Sequence, residues 1–307
     1  MNKMVHKSII VSAFFRDTMK DGSKLVEALR RVKEDGWYDT VEFYFEGNLT
    51  QNYDVKNTLE ELGFNSVYIS AIPMKALKLN LCDLDKSKRD YTISRFKGWI
   101  DLAYYFGSRK ILIASGETYT NKNERQLAVG NFKDSVMELC KYAQLKAKDY
   151  VLNLTLEYFN DIGEPYFLVG PSTEAKELCD IITRDYKNLE LTFDLSHVVQ
   201  LREDPIKSFS LVKQYVNHVH IANCVIKNPD SIFFGDKHPP INIKDGELSE
   251  DSMRDFIEGI KNEGFFTESS NNKIIGIEVI TPQQMDSMSI YKESSDIFLR
   301  NLSNIIK

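Results

Sequence analysis

The sequence predicts a single-domain α/β protein built as a (β/α)8 barrel, and three observations carry that expectation. Eight short runs of β-branched and apolar residues alternate with eight amphipathic stretches of helical period along the 307 residues. No Gly-x-Gly-x-x-Gly follows the first run, which argues against a doubly wound dinucleotide-binding sheet. Each of the last four runs closes on, or just before, a side chain able to bind a divalent cation: Glu157, Asp194, His220 and Glu278. One such ending means little, but four in succession suggest strand ends converging at the mouth of a barrel.

The elements follow in order. A strand over Ser8–Phe15, dense in Ile, Val and Phe, precedes the amphipathic helix Gly22–Glu34. Thr40–Phe45 and Ser66–Ile72 bracket the helical stretch Val55–Leu62. The longer helix Lys86–Phe106 leads through a Gly turn to the strand Lys110–Ala114. Asn131–Ala147 is then helical, Tyr150–Leu156 extended, and Thr173–Tyr186 helical again. Leu189–Phe193, helix Pro205–Tyr215, His218–Ala222, helix Glu250–Asn262, Lys273–Val279 and helix Ser287–Ile306 complete the alternation. Ser172-Thr-Glu-Ala and Ser249-Glu-Asp-Ser place hydroxyls and acids where helix N-termini favour them. No Pro/Gly/Ser-rich linker divides the chain, so residues 1–307 are read as one barrel. The connections Ile72–Asp85, Ala114–Asn123, Asn160–Gly170 and Ala222–Leu248 are long. All four follow strand C-termini, where a barrel carries its active site.

Composition narrows the function classes. Hydrophobic residues make up 42% and charged residues 27%, the balance of a soluble globular protein, and the net charge of -6 disfavours a general polyanion binder. Cys82, Cys140, Cys179 and Cys224 are widely spaced without a CxxC pair, as expected of reduced thiols in a cytoplasmic protein. Neither a signal peptide nor a membrane-spanning apolar stretch is evident.

Three carboxylates and one imidazole make a mostly oxygen-ligated site, suited to Mn or Mg and compatible with Co or Zn. His197, three residues after Asp194, is positioned for substrate or a second metal. Asp236-Lys-His238 has a spacing that lets both side chains reach one ion, though two simple loop polars would look the same. His218 shares a strand face with His220 but lies deeper, as a hydrogen-bonded core histidine would. Glu42 and Glu46, near the second strand's end, reach the mouth, form salt bridges or are simply solvated. Tyr119, Tyr158, Phe159, Phe233 and Phe234 offer rings to an apolar ligand face or simply pack their loops.

These segments together resemble the xylose isomerase-like TIM-barrel superfamily of sugar isomerases and epimerases, inosose dehydratases and endonuclease IV-type enzymes. The likeness is carried by Leu156-Glu157, Phe193-Asp194-Leu-Ser-His197, His218-Val-His220-Ile-Ala and Ile277-Glu278. Ile100–Gly116 and Lys244-Asp-Gly-Glu-Leu add to it. By resemblance to ketose 3-epimerases, Glu157, Asp194, His220 and Glu278 are metal ligands, and the two glutamates form the acid/base pair. The resemblance also gives His197 a substrate hydroxyl to contact. It implies a sugar, sugar phosphate or cyclitol as substrate, reacting through an enediolate from which epimerisation and isomerisation both follow.

Departures from the pattern shape the alternatives. Epimerases of this type carry an arginine shortly after the seventh-strand histidine, where this chain offers Lys227 as a substitute contact. Endonuclease IV-type histidines are missing after the third and fourth strands, at Ile72-Pro-Met-Lys75 and Ala114-Ser-Gly116. That disfavours an abasic-site nuclease and nucleic acid as a partner. Asp236 and His238 nonetheless resemble the endonuclease's Asp-x-His zinc pair and, with His197, would form a second metal site. A dehydratase or lyase, a non-catalytic sugar-binding barrel and a homo-oligomeric state all remain open.

Overall fold

A computed structural model describes residues 5–159, 167–267 and 272–305. Its strands are β1 (His6–Ile10), β2 (Thr40–Phe43), β3 (Asn65–Ile69), β4 (Lys110–Ile113), β5 (Asn153–Glu157), β6 (Leu189–Asp194), β7 (Val216–Ala222) and β8 (Ile274–Glu278). They are parallel and close in sequential order, with β1 pairing to both β2 and β8. Helices cover the outside, and none among the described residues is long and apolar enough to cross a membrane. The single-domain (β/α)8 barrel expected from the alternation is the fold observed.

The expected boundaries shift for identifiable reasons. The Ser8–Phe15 run is extended only to Ile10, and Val11–Phe14 forms one helical turn with every side chain buried. Likewise β3 ends at Ile69 and Ala71–Ala76 is a short helix. A continuous apolar run carries no period that separates the two conformations. The helix expected from Val55 starts at Leu49, because Asn48 and Gln51 make a reciprocal capping box ahead of the apolar positions. The helix expected from Asn131 starts at Lys122, capped by Asn121. Ser249 caps its helix as expected, whereas Ser172 lies just inside its helix and bonds Glu203. All four cysteines are free and buried.

The lumen is polar where many such barrels stack branched aliphatics. Near the N-terminal end, Lys110 of β4 forms a buried ion pair with Glu190 of β6. Glu190 also accepts from Asn153 at 3.2 Å and Asn217 at 3.1 Å. One level higher, Thr155 and Thr192 are 2.7 Å apart, and Thr192 reaches His218 Nδ1 at 3.1 Å. Glu42 of β2 meets His218 of β7 at 2.9 Å. These strands are not neighbours in the barrel, so that contact crosses the lumen. The polar column supports the side chains at the C-terminal mouth.

Candidate metal centre

Strand alternation turns the final residues of β5, β6 and β8, and His220 of β7, toward one point. His220 Nδ1 lies 3.3 Å from Glu157 Oε1, 3.2 Å from Glu278 Oε2 and 3.8 Å from Asp194 Oδ2. Each of these residues offers a ligand atom, all within 4.8 Å of one another. Asp194 divides its carboxylate between two tasks. Its Oδ1 caps the short helix Leu195–Gln200, accepting from the Ser196 and His197 amides at 2.7 and 3.2 Å. Its Oδ2 faces the cluster, buried and without a hydrogen-bond partner. A buried acceptor left unpaired among two further carboxylates is costly unless a cation joins them. The four residues therefore fit a divalent ion.

The electrostatics separate the two glutamates. Burial pushes the Glu157 carboxyl up, against the hydrogen bond from His220 and the charge of His197. Burial acts the same way on Glu278, but the charge of His238 and the hydrogen bonds from His220 and His238 hold it well below the usual carboxylate range. Burial alone would lower His220, yet the charge of Glu42 and the hydrogen bonds to Glu157, Glu278 and Glu42 hold it well above an ordinary imidazole.

A metal-free His220 with a raised pKa carries a proton at neutral pH, whereas an ion needs the neutral imidazole. Zn²⁺ loading at pH 7 is therefore expected to release about one proton from this residue. Affinity should rise with pH until the raised value is passed. Calorimetry in buffers of different protonation enthalpy measures the release; none would mean that Nδ1 does not ligate.

The loop after β7 brings in the second polar set. Gly235, at φ +83°, and His238, in the left-handed region at φ 38°, shape a turn that aims Asp236 and His238 inward. Asp236 Oδ1 lies 2.7 Å from His238 Nε2 and 3.2 Å from His197 Nε2, and His238 Nδ1 lies 3.2 Å from Glu278 Oε1. His197, Asp236 and His238 thus converge as their motif suggested. A carboxylate oxygen of Asp194 also lies close enough to His197 and His238 to join an ion there. His197 Nδ1 is buried without a hydrogen-bond partner.

One expectation needs correction. Lys227, expected to contact substrate, has a side chain that is 81% exposed and pairs with Glu247, away from the cavity wall. Asn223, donating to Pro240 O and accepting from the Leu248 amide, turns the chain away before Lys227 is reached. A cation that does line the cavity is Lys75, at the end of the Ile72-Pro-Met-Lys75 segment. Its Nζ lies 2.9 Å from Asp236 Oδ2 and over the rings of Phe159 and Phe167. Glu42 takes the ion-pair alternative: it is wholly buried and faces His218 and His220 at 2.9 and 3.1 Å. Glu46 does form salt bridges, to Arg95. Of the loop aromatics, Phe159 stacks on Phe167 at 4.3 Å and approaches the His197 ring at 4.2 Å. Most of the Asn160–Gly170 connection, residues 160–166, lies outside the described residues.

Glu157, His220, Glu278, Asp236, His238 and Lys75 line a cavity of about 320 Å³, the size of a pocket for a small molecule. The family model described as xylose isomerase-like TIM barrel matches residues 29–302. No curated protein sequence matches the chain. Among solved structures, an L-ribulose 3-epimerase superposes with a TM-score of 0.74 at 13% identity, covering 98% of this chain and 95% of that one. An IolI protein with a bound zinc atom gives 0.73 at 17% identity, with 98% and 99% covered. A D-tagatose 3-epimerase-like protein gives 0.71 at 16% identity, with 99% and 100% covered.

Proposed function

The chain belongs to the xylose isomerase-like TIM-barrel family, and on that premise we propose that it is a divalent-metal-dependent isomerase or epimerase of a sugar, sugar phosphate or cyclitol. The observation that carries the reading is the convergence of three carboxylates on His220 Nδ1, with Asp194 Oδ2 left unpartnered. Glu157, Asp194, His220 and Glu278 would hold one ion. When bound, it would polarise adjacent carbonyl and hydroxyl oxygens of the substrate and so acidify the intervening carbon-bound proton.

The protein's own groups divide the proton transfer. Glu278, held ionised by His238 and His220, suits removal of that proton. Glu157, whose carboxyl burial pushes up, suits its return. They stand on β5 and β8, three places apart around the barrel, so one can work on each face of a bound polyol. Return to the opposite face of the same carbon is epimerisation; return to the neighbouring carbon is isomerisation. His197 and His238, both bonded to Asp236, would orient substrate hydroxyls, and Phe159 closes the wall beside them. The test is incubation of the metal-loaded protein with ketoses, ketose phosphates and inososes in deuterated water. Deuterium entering the substrate's α-carbon supports the reading, and inertness of the whole panel counts against it.

One ion is favoured over two. Asp236 already faces the Lys75 ammonium, and His238 is drawn toward its cationic form by Glu278 and Asp236 although burial opposes it. Further positive charge there is unfavourable. His238→Ala is expected to leave metal stoichiometry unchanged. Lys75→Met, which removes the resident cation, should let a second ion bind in titrations followed by elemental analysis. A drop from two ions to one in His238→Ala would instead establish a two-metal site.

A further inference from the structure

Glu42 lies beneath the proposed ion site and takes no part in the proton transfer just described, yet both of its carboxylate oxygens are engaged. It is fully buried on β2. Its Oε1 accepts from Ser8 Oγ at 2.6 Å and faces His218 Nε2 at 2.9 Å, while Oε2 faces His220 Nε2 at 3.1 Å. The two Nε2 atoms are 3.1 Å apart, each beside its own carboxylate oxygen. Gly276 leaves the room for this arrangement. A Cβ there would lie 2.3 Å from Ser8 Oγ and 3.0 Å from Glu42 Oε1.

An ionised carboxylate only accepts hydrogen bonds, so the ring nitrogen facing it carries the hydrogen. In a neutral imidazole the lone pair is then on the other nitrogen. For His220 that nitrogen is Nδ1, the atom surrounded by Glu157, Asp194 and Glu278. His218 and Ser8 engage the other oxygen and so resist rotation of the carboxylate. We infer that Glu42 is a positioning residue that fixes the tautomer and ring plane of His220, presenting Nδ1 to a divalent cation. The inference rests on the metal-site reading above. Metal-bound imidazoles gain affinity and orientation from a carboxylate on their far nitrogen.

Glu42→Gln tests it, because the amide keeps the shape but replaces one accepting oxygen with a donor. The readouts are Zn²⁺ affinity, by competition with a chromophoric chelator, and the ¹⁵N resonances of His220 in the Zn²⁺-loaded protein. Wild type should show a protonated, slowly exchanging Nε2. The variant should lose that signal and bind Zn²⁺ about 10–100-fold more weakly. Unchanged affinity with an unchanged Nε2 signal would overturn the inference. So would loss of one of two bound ions with the other unaffected, since Glu42, His218 and His220 would then themselves be a ligand set. A wild-type protein that binds no ion would overturn the underlying metal reading, and this inference with it. Should Glu42→Gln fail to fold, Gly276→Ala displaces the carboxylate without changing its charge. It is expected to weaken Zn²⁺ binding, and wild-type affinity there would contradict the assignment.

Discussion

Glu278→Gln is expected to lower turnover by about 10²–10⁴-fold, the usual contribution of a positioned general acid or base. The amide can still offer an oxygen toward an ion, but it cannot accept a proton from carbon. The charges of His238 and His220 that keep the Glu278 carboxyl ionised would then serve no base. Glu157→Gln should be similarly crippled in the return step. The two variants are expected to differ in isotope exchange. Loss of the base abolishes wash-in of solvent deuterium, whereas loss of the returning acid leaves the first proton removal in place. Retention of full activity in either variant, with cooperative thermal unfolding intact, would sink the two-glutamate assignment.

The largest expected loss of stability is at the opposite end of the barrel. Lys110 and Glu190 form a buried ion pair across the lumen, and Asn153 and Asn217 satisfy Glu190 further. Lys110→Met keeps the apolar stem but strands a buried carboxylate, at a cost of about 3–5 kcal/mol. The measurement is the urea midpoint of the metal-free protein. The double variant Lys110→Met/Glu190→Met should recover much of the loss, because removing both charges removes the desolvation penalty as well. A single variant within about 1 kcal/mol of wild type would mean that water or a rearranged Asn already serves Glu190.

Much of this architecture is legible in the chain because strands and helices impose different periods. Eight runs alternating with eight amphipathic stretches point to the barrel. The end of each late run marks the mouth, so Glu157, Asp194, His220 and Glu278 can be singled out before any contact is known. The Asp236-Lys-His238 turn is visible for the same reason, as a polar spacing in a long connection. What escapes is whatever depends on closure across the lumen. Strand β2 spans only Thr40–Phe43 with all four residues buried, so it shows no alternation to say which way Glu42 points. The partners of Glu42 lie on β7, 176 and 178 positions along the chain. Lys75 is hidden in a helical turn that an apolar run disguises as the end of a strand, and Lys227 is misread because the turn at Asn223 is set by contacts to Pro240 and Leu248. Local pattern locates the site, and tertiary contacts decide which cation and which supporting carboxylate serve it.

The most direct test of the central claim is metal content per chain, by elemental mass spectrometry on protein purified without chelator and then reloaded with Mn, Co, Zn or Mg in turn. About one tightly held equivalent of at least one of these ions is expected, lost when His220 is replaced by Ala. No bound metal under any loading condition, or occupancy unchanged in His220→Ala, would contradict that claim.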